Sequence, residues 1–190
     1  AEKGNVAGAL RLYKRLWEDV FGSRVINTDD TPIRVLEVNG PGTHKGHLWV
    51  YAGRGEHLGT VYDFSPNWDS IHPQQFLAGF TGFLQSDAYS GYEKLGKSGQ
   101  VINVGCNAHA RRRFHEARKT DVARAHMALA FYKCLYKIER ECKGGSREEK
   151  LEARTRRAVP VLAKFKKWLD EQYPLVLPQS PIGEAISYAR

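Results

Sequence analysis

Residues 25–37 read VINTDDTPIRVLE, and the reading of this stretch decides the fold. Val25 and Ile26 form a short β-branched run, which predicts a strand rather than a helix. Asp29 and Asp30 follow where that strand is expected to emerge. Thr31-Pro32 is expected to break its regularity before a second apolar run, Ile33 to Val38. A carboxylate at the end of an interior strand is costly unless it is hydrogen-bonded or holds a metal ion. The pattern recurs at Phe83-Leu84-Gln85-Ser86-Asp87, whose aspartate lies 58 positions after Asp29. Two such strand-end carboxylates are the frame of a site for phosphoryl transfer assisted by divalent metal. The competing reading is plainer: a turn at residues 29–32 and a helix cap at Asp87.

Working outward, Val6, Leu10, Tyr13, Trp17 and Val20 recur at steps of three and four, predicting an amphipathic packing helix over about residues 5–20. After the first strand, Asn39-Gly40-Pro41-Gly42 has turn chemistry, HLWVYA (47–52) is a second strand and TVYDF (60–64) a third. Three strands on short loops predict an antiparallel meander. HPQQFLAGF (72–80) reads as a short helix with Pro73 in its first turn. A strand–helix–strand crossover of this kind sets the strand before Asp87 parallel in the same sheet, beside the first strand if the two pair. Tyr89–Leu95 is expected to be a short helical connection, and QVINVG (100–105) a fifth strand. Helices follow over about 109–119, 121–142, 146–171 and from 181. Gly144-Gly145 marks a break, Ser146 with Glu149 a capping box, and Pro160 a kink or division.

The 190 residues amount to one domain, or one with an appendage, and their 42% hydrophobic content is enough for a core. The net charge of +8 favours a polyanionic partner. Three cysteines, Cys106, Cys134 and Cys142, have no framework spacing, which points to a reducing compartment. Neither a signal peptide nor a membrane-length apolar run is expected from these residues. The chain opens on Ala1 rather than Met, so a piece of a longer or processed protein is expected.

Two further patterns carry chemistry. HARRRFHEARK (109–119) is the densest basic segment; on a helix Arg111, His115 and Arg118 share one face while Phe114 anchors the other. With Arg112, Arg113 and Lys119 it would hold a phosphate backbone without reading bases, unless it is simply a solvated basic face. Arg154 to Arg157 and Lys164 to Lys167 read as solvated. Cys106 and His109, in CNAH, have the spacing of half a zinc site. With no second half in view, a buried Cys and a positioning His is the safer reading.

Taken together, TDDTPIRVLE (28–37), GHLWVY (46–51), VYDFSP (61–66), HPQQFLAGFTGFLQSDAYSGY (72–92), CNAHARRRF (106–114) and SPIGEAISYA (180–189) resemble, in order, the transposases of bacterial insertion sequences of family sixty-six. The resemblance implies an α/β fold: an RNase H-like mixed five-stranded sheet, three strands antiparallel and then parallel strands, with flanking helices and a C-terminal helical insertion. It implies an Asp-Asp-Glu triad using two Mg²⁺ or Mn²⁺ ions, with Asp29 as first aspartate and Asp87 as second, both catalytic and metal-binding. Asp30, where the family often has Glu, is supporting, as are Cys106 and His109, which match the family's Cys-x-x-His element. The expected organisation is a packing helix over 1–22, an incomplete catalytic core over 23–120, and a helical insertion over 121–190.

In the family the triad Glu lies in an Asn-rich segment further on. This chain stops at Arg190 before any such segment, and Glu184 does not match it. The expectation is therefore the central piece of a transposase, inactive alone. The complete enzyme would cut and join DNA at transposon ends and target, in the bacterial cytoplasm at the nucleoid, with no membrane or small-molecule cofactor and with a homodimer left open. The alternatives are a non-catalytic nucleic-acid-binding domain derived from such an enzyme, and an RNase H-like nuclease.

Overall fold

The computed structural model describes residues 2–37, 41–97 and 99–190, with side chains from residue 6 onward. The chain divides into two compact units, Ala1–Cys106 and Asn107–Arg190.

The first unit runs α1 (Glu2–Gly22), β1 (Val25–Leu36), β2 (Thr43–Ala52), β3 (Thr60–Ser65), α2 (Ile71–Phe76), β4 (Gly82–Ser86), a 3-10 turn (Ser90–Tyr92), α3 (Glu93–Lys97) and β5 (Val101–Gly105). Its five strands lie in the order β3-β2-β1-β4-β5. β1, β2 and β3 form the antiparallel meander, whereas β4 pairs parallel with β1 and β5 parallel with β4. This is the mixed α/β sheet of an RNase H-like fold. β1 sits at its centre because the crossover through α2 returns the chain to that side of β1. Gly82 (φ 142°) makes the return possible: a Cβ there would stand 2.5 Å from the Arg24 carbonyl oxygen, which accepts from the Phe83 amide at 3.0 Å.

One expectation needs revision. Thr31-Pro32 does not interrupt the strand: β1 is continuous, with Pro32 opposite His47 of β2. Pairing with β4 covers only Val25 to Asn27. Beyond Asn27 that edge of β1 is open, so a residue without an N–H is tolerated there. The expected turn at Asn39-Gly40, and the Val38 end of the run, lie outside the described residues. Glu37 N still donates to the Gly42 oxygen at 3.1 Å, closing the hairpin.

The two sheet faces differ. Ile26, Thr28, Trp49, Tyr51, Val61, Leu84 and Val101 are buried on one face, beneath the aromatic rings of Trp17, Phe21, Phe76, Phe80 and Tyr92. The other carries the exposed Tyr62, Phe64, Ile102 and Val104. α1 contributes its last turns to the core through Trp17, Val20 and Phe21, while Val6, Leu10 and Leu12 remain exposed. Its Asp19 accepts from the Gly59 amide at 2.8 Å and meets His57 Nδ1 at 3.0 Å, tying the helix to the loop before β3.

The second unit contains α4 (Asn107–Ala117), α5 (Val122–Glu141), α6 (Arg147–Ala153), α7 (Val159–Gln172) and α8 (Pro181–Ala189). Phe114, Tyr132, Phe165, Leu169 and Ile186 form its core. Full burial of an aromatic side chain such as Phe114 is worth roughly 1.5–3 kcal/mol. The capping box opens α6: Glu149 N donates to Ser146 Oγ at 3.1 Å and Ser146 N to Glu149 Oε2 at 2.7 Å. Pro160 lies in the first turn of α7, and a π-helical turn over Arg154–Ala158 marks the division from α6.

Candidate functional site

Alternation along β1 separates the two neighbouring aspartates. Asp29 shares the open face with Asn27, whereas Asp30 turns to the covered face with Ile26 and Thr28. On the open face Asn27 pairs with Gln85 of β4, and the Asn27 amide donates to Gln85 Oε1 at 2.5 Å. Asp29 and Asp87 each lie two residues beyond this last pair, Asp29 within β1 and Asp87 just past the end of β4. Asp87 itself lies just beyond β4, where its Oδ1 accepts from the Tyr89 amide at 3.1 Å. Ala88 takes a left-handed φ of 63°, an unusual conformation for a residue with a side chain. A departure of this kind costs about 1–3 kcal/mol and persists only where its surroundings enforce it.

Asp30 belongs to a different arrangement. Its Oδ2 lies 2.6 Å from His47 Nδ1, with both side chains at least nine-tenths buried, and its Oδ1 accepts from Trp68 Nε1 at 3.3 Å. Trp68 stacks on His47 and on Tyr89, and Tyr89 packs edge-on to Tyr92. The Tyr92 hydroxyl lies 3.0 Å from Thr28 Oγ1. Burial pushes the Tyr92 phenol well above its ordinary range, the Thr28 bond opposes this, and Asp87, Asp30 and Asp29 push it further. Burial likewise raises Tyr89, with Asp69, Asp30 and Asp87 adding to it.

Sequence reasoning assigned no role to His47, Trp68, Tyr92, Asn27 or Gln85. A signal was present for His47: it shares the inward parity of Trp49 and Tyr51, and a polar residue at such a position needs a partner. Nothing in the sequence marks Asn27 and Gln85 as partners, since their contact depends on strand register.

In the second unit Phe114 is fully buried, and Arg111, Arg112 and His115 line a recess of about 280 Å³ with Ala108 and Tyr136. Arg113 instead lies over the Tyr188 ring, 4.7 Å from its centroid. Arg118 folds back, its Nε donating to the His115 carbonyl oxygen at 3.0 Å while its terminal nitrogen meets His115 Nε2. Lys119 is exposed beyond the last turn. The later basic clusters are largely occupied by carboxylates: Arg154 with Glu139, Arg157 with Glu141, Arg156 with Glu152 and Lys166 with Asp170.

Cys106 closes the first unit as a half-buried free thiol, and His109 lies in α4 of the second. Among the described residues no group of three or more His, Cys, Asp and Glu side chains is arranged to hold a metal ion. The hard oxygen donors of Asp29 and Asp87 suit Mg²⁺ or Mn²⁺, so the donor chemistry fits such an ion as a pair of ligands. No described helix is long and apolar enough to cross a membrane.

The chain is similar to three proteins of Sinorhizobium fredii. It is 28% identical to the uncharacterized protein y4hP over 96% of this chain and 37% of that one. It is 30% identical to the uncharacterized protein y4jD over 93% of this chain and 37% of that one. The third, uncharacterized protein y4qI, is 29% identical over 88% and 34%. The chain thus spans little more than a third of the length of these relatives. The family model described as "Transposase IS66 family" matches residues 5–190. By that match over nearly its whole length, the chain belongs to the IS66 transposase family.

Proposed function

We propose that this chain is a catalytic-core region of a DNA transposase, within which Asp29 and Asp87 hold divalent metal for in-line phosphoryl transfer on DNA. The observation that supports this reading is the pairing of β1 with β4 through Asn27 and Gln85, with Asp29 and Asp87 each two residues further along the sequence. A bound Mg²⁺ or Mn²⁺ ion would supply activation of a water or 3′-hydroxyl and stabilisation of the leaving oxygen. A third carboxylate would come from elsewhere in a longer protein of the relatives' kind.

The chain's own residues have separable parts in this reading. Asp29 and Asp87 are the ligands. Asp30, clamped between His47 and Trp68, fixes the β1 backbone next to Asp29 where β4 no longer supports it. Arg111 and Arg112, with Lys119 behind them, attract the phosphate backbone without reading sequence. DNA at transposon ends and target is the proposed substrate. Domain limits of 23–120 for the core and 121–190 for the insertion, supporting roles for Cys106 and His109, and a homodimer belong to the same proposal.

Calorimetric titration of Mn²⁺ into the 190-residue chain tests it. Weak binding that disappears in both Asp29→Ala and Asp87→Ala is the expected result. Binding unchanged in either variant would remove the two aspartates from the site. A metal-independent, strongly salt-dependent DNA affinity, with no Mn²⁺ bound, would instead favour a non-catalytic nucleic-acid-binding domain.

A further inference from the structure

We infer that Arg54 is a phosphate anchor beside the Asp29–Asp87 pair, binding a phosphodiester of the nucleic-acid strand that the acidic pair acts on. The inference rests on the reading of that pair given above. Arg54 follows β2 and is exposed, yet it is held at both ends. Its amide donates to Ser23 Oγ at 2.8 Å, and the same hydroxyl lies 3.1 Å from the Arg54 carbonyl oxygen. Ser23 is itself 2% exposed. At the other end, Arg54 Nε donates to Asn27 Oδ1 at 2.8 Å, while the Asn27 amide is committed to Gln85. The chain Arg54–Asn27–Gln85 therefore crosses from the β2 end to β4 on the sheet face that bears Asp29, at the end of β4 that Asp87 follows.

An exposed arginine ordinarily gains little from being fixed, because ordering its side chain costs about 1.5–2 kcal/mol. Here no carboxylate compensates: among the described residues Arg54 forms no ion pair. Its Nε–H is spent on Asn27, which leaves the two terminal nitrogens of the planar fork as donors. That fork matches two phosphate oxygens at once. Asn27 and Gln85 stand two residues before the aspartates, about 7 Å along the strands at the usual rise. A cation at that spacing offsets the repulsion between two carboxylates and an incoming phosphodiester. Acting before any metal arrives, it also gives the strand a fixed position.

The test follows the Arg54 Nε–Hε resonance of the ¹⁵N-labelled chain by NMR during titration with thymidylyl-thymidine, a dinucleotide with one phosphodiester, with and without Mg²⁺. A saturable shift of that resonance is expected. Arg54→Lys should weaken binding about tenfold, because a point charge cannot replace the fork. Gln85→Leu, which frees Asn27 and so the guanidinium, should weaken it about threefold. Arg34→Ala, at an exposed position further along β1, should leave it unchanged. In an Asp29→Asn, Asp87→Asn background without metal, binding should be at least as tight as in the parent, since two like charges are gone.

Shifts confined to the α4 arginines, or equal affinity in Arg54→Lys, would overturn the anchor. The Mn²⁺ titration separates the two claims. Metal bound by the aspartates with Arg54 silent removes the anchor and leaves the metal site. Arg54 engaged in a chain that binds no Mn²⁺ does the reverse.

Discussion

The two units of this chain are near opposites in charge and in how they use it. Ala1–Cys106 holds 10 Lys and Arg against 11 Asp and Glu, whereas the remaining 19 of the 29 basic residues and 10 of the 21 acidic ones lie in Asn107–Arg190. The sheet unit is close to neutral, and its buried Asp30 is held by His47 and Trp68. The helical unit spreads its charge along exposed faces, where most of its acids are matched by nearby arginine or lysine. In the first, a carboxylate is buried against a histidine; in the second, charge is distributed by helical periodicity. Net charge alone therefore says nothing about the acidic half. The +8 total comes from the helices, and the residues suited to metal chemistry sit where the balance is slightly negative.

The largest expected effect breaks or upholds the independence of the two units. Phe114→Ala should cost the helical unit about 3–5 kcal/mol by leaving a cavity among Tyr132 and Phe165. In protein labelled with fluorotryptophan, ¹⁹F NMR separates Trp168 of the helical unit from Trp17, Trp49 and Trp68 of the sheet unit. The Trp168 signal should lose its native position at lower temperature while the other three hold. Simultaneous loss of all four would mean that the units fold as one.

A smaller effect sharpens the charge contrast inside the helical unit. Arg111→Ala and Arg112→Ala should each lower the salt slope of duplex-DNA binding by about one and weaken affinity uniformly across sequences. Arg156→Ala, already paired with Glu152, should change the slope much less. Equal effects at all three would make the basic surface generic.

The smallest effect is a pH dependence that differs between units. Arg154 holds Glu139 below the usual carboxylate range, Arg157 does so for Glu141, and Lys166 and Arg190 do so for Asp170. Against the opposing pull of burial, Arg124 does the same for Asp121. Groups lowered in the folded state contribute stability above their unfolded pKa and lose it as pH falls through the folded values. In the sheet unit Asp19 is lowered by His57 and Gly59, but burial raises Asp63, which acts with the opposite sign. From about pH 4 downward the Trp168 ¹⁹F signal should therefore shift before those of the sheet unit. The reverse order would contradict this assignment of the acid-sensitive pairs.

Much of the fold was legible because its signals are local. The β-branched run at Val25, the alternation of HLWVYA and TVYDF, the Ser146 capping box and the apolar spacing of the helices each depend on neighbours a few residues away. The place where local reading failed is also instructive. Thr31-Pro32 looks like a strand breaker, yet β1 runs through it, because β4 stops pairing at Asn27 and leaves Pro32 on an open edge. Whether a proline breaks a strand depends on who would have received its missing hydrogen bond, which is a tertiary fact.

By itself, the sequence determined the kinds of elements, their order, the family, and the two aspartates worth pursuing. Only the tertiary structure decided that adjacent Asp29 and Asp30 face opposite sides of the sheet in different company. It also decided that Asn27 is in register with Gln85, and that Arg54 is tethered through Asn27 to Gln85. The physical reason is that side-chain alternation is a property of one strand, whereas register is a property of two. Residues 58 positions apart become partners only when hydrogen bonds between β1 and β4 fix how the strands slide against each other.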